Sequence, residues 1–200
     1  MNARKVIPIT RGRGRAEDMS DAALLAACTT GDSVALGTLF DRHADAVHRF
    51  LGRVTSARQD ELDDLVQSTF IEVCRAARKY RGKSAVRTWI LGIAANVSRH
   101  HARSEGRRRA VLVQYAELPQ AAIERPDEVA ERRQMVERLE RALEALPLPL
   151  RVAFVMCHLE GVPGSEAARA LDVREGTLAW RLHEARKAVQ AALRGGSDGE

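Results

Sequence analysis

Residues 60–109 read DELDDLVQSTFIEVCRAARKYRGKSAVRTWILGIAANVSRHHARSEGRRR. Apolar residues fall at Leu62, Leu65, Val66, Phe70, Val73, Ala77 and Tyr80, in steps of one, three and four that mark one face of an α-helix. Gly82 breaks the period in Arg81-Gly82-Lys83-Ser84, and it resumes at Val86, Trp89, Ile90, Ile93, Ala94 and Val97. The first helix opens on Asp60, Glu61, Asp63 and Asp64. The second carries Arg87, Asn96 and Arg99 on its polar face and leaves through Arg103, Arg107, Arg108 and Arg109. An acidic helix start and a basic helix end are therefore joined by a glycine loop.

The same periodicity extends outward in both directions. Asp21 can cap a short helix with Leu24, Leu25 and Cys28, which Gly31 ends. Asp32 can cap a helix of about six turns with Leu36, Leu39, Phe40, Val47, Phe50, Leu51 and Val54 on one face. Residues 20–104 thus form a four-helix domain. Residues 105–127 hold Gly106, Pro119 and Pro126 without a sustained period and read as a linker. Residues 128–193 are helical again. Val129, Met135, Val136, Leu139, Leu143 and Leu146 point inward on the first helix, and a further helix runs from Leu150 to Leu159. A short helix from Gly164, a turn at Asp172 to Gly176 and a long helix from Thr177 give the helix-turn-helix pattern. Residues 1–19 and 194–200 read as disordered tails. The fold expected is all-α: two small helical domains on a flexible linker.

The formal charge of +5 is uninformative, because Arg4, Lys5, Arg11, Arg13 and Arg15 precede the first acid and account for all of it. Separation of charge along the neutral body is the better clue. No apolar run approaches the ~20 residues of a membrane span, and no signal peptide is read. Cys28, Cys74 and Cys157 are odd in number and far apart, which suits reduced thiols in a cytoplasmic protein.

The acidic patch admits three readings: metal ligands of a nuclease, acids meeting the positive end of a helix dipole, or a surface for a basic partner. No further acid or histidine recurs at ligand spacing, and His100, His101 and the Cys157-His158 pair fail the same test. No metal or other cofactor and no catalytic residue are expected. Trp89 reads as core; Tyr80 could be core or could stack on a base. In the helix-turn-helix, Arg174, Arg181, Arg186 and Lys187 could meet phosphates or bases, opposed by Glu175 and Glu184. A regulator binding duplex DNA without any polymerase is an alternative at this point.

Asp63-Asp64-Leu65-Val66-Gln67-Ser68-Thr69-Phe70, Tyr80-Arg81-Gly82-Lys83-Ser84, Arg87-Thr88-Trp89-Ile90 and Ile93-Ala94-Ala95-Asn96 resemble region two of bacterial extracytoplasmic-function sigma factors. Leu143 to Pro147, Arg151, Gly161, Glu166-Ala167-Ala168, Gly176-Thr177-Leu178 and Ala185-Arg186 resemble region four. The resemblance implies a subunit that binds RNA polymerase core, recognises promoter minus-ten and minus-thirty-five elements and directs initiation. By it, Asp63, Asp64, Gln67 and Phe70 dock on the clamp helices of the largest subunit. Arg81, Gly82, Lys83 and Ser84 receive a flipped base, Asn96 contacts a base, and Arg87, Arg99, Arg103 and Arg107 to Arg109 hold phosphates. The minus-thirty-five element falls to Arg174, Thr177, Ala179, Trp180, Arg181, His183 and Arg186, and the linker threads toward the RNA exit path. Region four departs from the family at Pro163, Arg174, Leu178, Ala179, Trp180 and Glu184, which weakens the expected cationic contact. An anti-sigma protein or an autoinhibited compact form is also implied.

Overall fold

The computed structural model describes residues 16–112 and 128–194, with side chains for 16–105 and 134–194. The described residues are helical, with no strand. Helices α1 (Asp21–Cys28), α2 (Ser33–Val54), α3 (Gln59–Ala76) and α4 (Val86–Leu112) make the first domain. They pack around Leu39, Phe50, Leu51, Val73, Ile90 and Leu91, none of which reaches solvent.

Local capping sets the entry of each helix. Asp32 caps α2 by accepting from Val34 and Ala35 N–H at 2.9 and 3.1 Å. The α1 cap is Ser20, which accepts from Ala23 N–H at 3.3 Å, and not Asp21. Asp21 is instead turned onto α2, 2.7 Å from both Arg42 Nη1 and His43 Nε2. Burial alone pushes the Asp21 carboxyl up, but hydrogen bonds and charge from Arg42 and His43 outweigh it and hold the group below its ordinary range. Arg42 also donates to the carbonyls of Met19 and Glu17, and Ala16 is buried. The last residues of the expected tail are therefore packed; residues 1–15 lie outside the described residues.

Helix α4 runs past Ser104 and through Gly106 to Leu112. The expected linker therefore begins as helix, with Arg107 to Arg109 on it; residues 113–127 lie outside the described residues.

The second domain comprises α5 (Glu128–Ala145), α6 (Leu148–Phe154), α7 (Gly164–Ala170) and α8 (Glu175–Arg194). Ala142 and Leu143 of α5 are buried, as is Leu146 just past its end, while Met135 and Val136 are 50% and 53% exposed. The inward assignment of those two residues is wrong, because α5 meets α8 along a narrower stripe than its apolar residues span. The expected Leu150–Leu159 helix is α6 followed by a π-turn at Val155–Leu159, where Glu160 N–H bonds back to the Val155 carbonyl at 2.9 Å. One extra residue per turn changes the direction in which His158 and Glu160 project.

The two domains touch. Gly92 on α4 faces α7 so closely that a Cβ there would lie 2.4 Å from the Ala170 carbonyl oxygen. Arg151 is buried and donates to the Glu144 carbonyl, to Leu146 O at 3.1 Å and, across the interface, to Val54 O at 3.4 Å.

Gly92→Ala separates these tests cleanly. Alanine favours an isolated helix over glycine by about 1 kcal/mol, yet it must displace the Ala170 backbone. Small-angle scattering of Gly92→Ala should show an expanded chain, with helix content unchanged by far-UV circular dichroism. Arg151→Ala leaves two carbonyls at the end of α5 without a donor and should destabilise the second domain by about 2–3 kcal/mol in thermal or denaturant unfolding.

Candidate nucleic-acid and partner interface

The acidic patch divides in two. Arg58 Nη2 binds Asp60 at 2.7 Å, and the Glu61 carboxylate accepts from Arg58 N–H at 3.2 Å. These two acids serve the start of α3, as the dipole reading has it. Asp63, Asp64 and Gln67 are exposed farther along the helix, with His48 Nε2 3.8 Å from Asp63. Phe70 is not with them: it is 4% exposed and packs at a tilt against Phe40, 4.8 Å between ring centroids. The solvent-facing apolar groups of this surface are Phe40, 38% exposed, and Ile71, 50% exposed. Sequence reasoning placed Phe40 inward and left Ile71 out, although Ile71 lies off the apolar stripe of α3 and could have been found by that mismatch.

The glycine loop is shaped by Gly82 at φ 69, a left-handed conformation that residues with a Cβ rarely adopt. Tyr80 Oη donates to Ser84 O at 2.7 Å and closes the loop. Tyr80 meets Trp89 edge-to-face at 5.5 Å, so Trp89 is half-buried against the loop and is not a fully enclosed core residue. Burial pushes the Tyr80 hydroxyl above its ordinary value, with Asp21 and Glu166 adding to the shift. Arg81, Gly82 and Lys83 are exposed. Arg81 and Lys83, together with Tyr80, Ser84 and Trp89, border a cleft of about 580 Å³ whose other wall is Ala168 to Ala170 and Asp172 to Arg174 of the helix-turn-helix. The loop and the helix-turn-helix are thus brought face to face.

Asn96 is exposed but sits elsewhere. It lines a groove of about 760 Å³ between α3 and α4, with Ser68, Glu72, Ile93 and His100. Its Oδ1 accepts from Arg99 Nη1 at 2.9 Å. Burial lowers the affinity of Arg99 for its proton, and the charges of Arg181 and Arg103 lower it further. Arg181 on α8 is therefore within electrostatic reach of Arg99 on α4, so like charges of the two domains oppose each other there. Arg107 to Arg109 have no described side chains.

In the helix-turn-helix, Ala167 and Ala168 are buried where α7 meets α8, and Asp172 takes a φ of 52 in the turn. Leu178, Leu182, Ala185 and Val189 hold α8 to its domain. The opposite side presents Arg174, Thr177, Ala179, Trp180, His183 and Arg186 to solvent, with Arg181 half-buried. Trp180 is 60% exposed, a large apolar area left uncovered. Arg186 Nε donates to His158 Nε2 at 2.9 Å, and the His158 ring packs at a tilt against Phe154. Burial, then the Arg186 charge, push the His158 pKa down, which keeps the ring nitrogen an acceptor. This positioning role of His158 depends on the π-turn and had no signal in the sequence.

Among the described residues, no three His, Cys, Asp or Glu side chains gather to hold a metal, and no helix is long and apolar enough to cross a membrane. All three cysteines are free, with burial pushing the Cys28 thiol up to about 11.

Comparison with known proteins gives this arrangement its context. The sigma-70 region 2 family matches residues 39–108, and the sigma-70 region 4 family matches residues 136–189. The ECF RNA polymerase sigma factor SigM of Mycobacterium tuberculosis is 35% identical over 185 residues, covering 91% of this chain and 89% of the relative. The ECF RNA polymerase sigma-E factor of Haemophilus influenzae is 30% identical over 183 residues, covering 88% and 96%. CnrH, solved in complex with the cytosolic domain of CnrY, superposes with a TM-score of 0.63 at 23% identity, covering 88% of this chain and 97% of that one. The sigma factor RpoE of Bartonella quintana, solved with the anti-sigma factor NepR, gives 0.59 at 20% identity, covering 79% and 96%. Two domain matches in order and relatives spanning nearly the whole length place the chain in the ECF RNA polymerase sigma factors of the sigma-70 family.

Proposed function

We propose that this sigma factor divides its work among three surfaces. The exposed acids Asp63 and Asp64, with Gln67, Phe40 and Ile71, dock on a basic helical face of the polymerase largest subunit. The pocket of Tyr80 to Ser84 and Trp89 receives an unstacked base of the minus-ten element. Arg87, Arg99 and Arg103 hold the backbone of the opened strand, and Asn96 reads a second base from its separate groove. Removing a base from the stack costs a few kcal/mol, which aromatic and polar pocket walls offset. Helix α8 reads the minus-thirty-five element through Arg174, Thr177, Ala179, Trp180, Arg181, His183 and Arg186. The observation that carries this reading is the cleft of about 580 Å³, rimmed by Lys79, Arg81, Lys83, Arg169 and Arg174, with an aromatic pair in its wall.

The chain supplies recognition and strand separation, and the polymerase supplies the chemistry; no catalytic role falls to any residue here. It acts where promoter DNA and polymerase are, in the cytoplasm. An anti-sigma partner belongs to the proposal, since the sigma factor RpoE was solved bound to one and α5 leaves Met135 and Val136 uncovered.

Asp64→Lys should lower affinity for core polymerase by at least about tenfold, equivalent to 1.4 kcal/mol, as read by co-purification or surface plasmon resonance. Retained core binding would remove α3 from the docking surface. Trp180→Ala should leave thermal stability unchanged, because the ring is already exposed, and should weaken holoenzyme binding to duplex promoter DNA by about tenfold, in line with about 1–3 kcal/mol for one base contact.

A further inference from the structure

The segment that opens α4 is held by the second domain at three points. Arg169 Nη1 donates to the Lys83 carbonyl at 2.5 Å. The Glu166 carboxylate accepts from Ala85 N–H at 3.3 Å, at the positive end of α4. Arg87 Nη1 donates to the Glu160 carbonyl at 3.2 Å, and its Nη2 binds the Glu160 carboxylate. The other oxygen of that carboxylate takes Arg53 Nη1, from the end of α2, at 3.0 Å. Glu160 has a side chain 3% exposed, whereas Arg53 and Arg87 are 40% and 37% exposed. One oxyanion is therefore gripped by two guanidiniums that both belong to the other domain.

We propose that Arg53 and Arg87 form a phosphodiester-binding pair of the first domain, which Glu160 occupies while the two domains are closed. The proposal rests on the sigma-factor reading above, and it adds Arg53 to the strand-binding surface. Two guanidiniums on neighbouring helix ends, converging on two oxygens of one anion, suit phosphate as well as carboxylate. The Glu166 contact repeats the pattern independently: a second carboxylate of the same domain sits where a helix N-terminus would favour an anion. Strand backbone and second domain thus compete for one anion site, and closure covers the loop cleft at the same time.

The test uses the full chain, a short fluorescein-labelled single-stranded oligodeoxynucleotide read by anisotropy, and small-angle scattering for compactness. E160Q should expand the chain and tighten oligonucleotide binding by about tenfold, the weight of one charge-assisted pair. R53Q should also expand the chain, because it breaks the same bridge, yet weaken binding by a similar factor. Opposite signs are the diagnostic, since mere loosening of the interface would move both variants the same way. Arg53 is partly exposed, so R53Q carries the test if E160Q folds poorly. Expansion with tighter binding in R53Q, or no change in its binding, overturns the proposal. Core polymerase binding is measured on the same samples. Opposite DNA shifts without core binding uphold the anion site and count against the sigma reading alone. Normal core binding without the opposite shifts sinks the anion site alone.

Discussion

The Glu160 carboxylate is almost wholly withdrawn from water, with a guanidinium on each oxygen, Arg53 from α2 and Arg87 from α4. A buried carboxylate in that position is tolerable only while both partners stay in place. It fixes the second domain against the start of α4, and with it the relation of the glycine loop to the helix-turn-helix. The π-turn at Val155–Leu159 aims Glu160 at that point, and the absent side chain of Gly92 lets the Ala170 backbone come close enough for the bridge to form. Arg151 completes the seam by tying the end of α5 to the Val54 carbonyl.

From that constraint the division of the surface follows. The exposed acids of α3 are on a helix that takes little part in the seam and remain open to a partner. The loop cleft, by contrast, has the second domain for its far wall. On the proposed assignment of surfaces, a chain built this way offers its polymerase-facing surface while closed and its strand-facing surface only when the domains part. Repulsion between Arg99 and Arg181 and the pairing of Glu160 act in opposite directions on that equilibrium, so modest differential affinity of DNA or polymerase for the open form is enough to shift it.

Much of this was readable from the residues, and the failures have identifiable causes. Helix positions in the first domain followed from the period of Leu62, Leu65, Val66 and Val73 because each element buries one face. The same rule held at Phe70 and failed at Phe40: both lie on apolar stripes, and only packing decides that Phe40 stays partly out. It failed at Met135 and Val136, which lie on the apolar stripe of α5 yet stay half exposed. Asp21 and Ser20 are adjacent candidates for one cap, and the presence of Arg42 and His43 on α2 decided between them. The Glu160 bridge joins residues 73 and 107 positions apart, beyond the reach of any local pattern. A π-turn changes hydrogen bonding by one residue and leaves no mark in composition.

The central claim is that this polypeptide confers promoter choice on a polymerase that lacks it. Run-off transcription on fragmented genomic DNA, with purified core polymerase and mapping of transcript starts, tests that most directly. Starts that depend on the added chain, each preceded by two shared sequence blocks at fixed spacing, are the outcome expected. Core polymerase that gives the same transcripts with and without the chain would contradict the assignment.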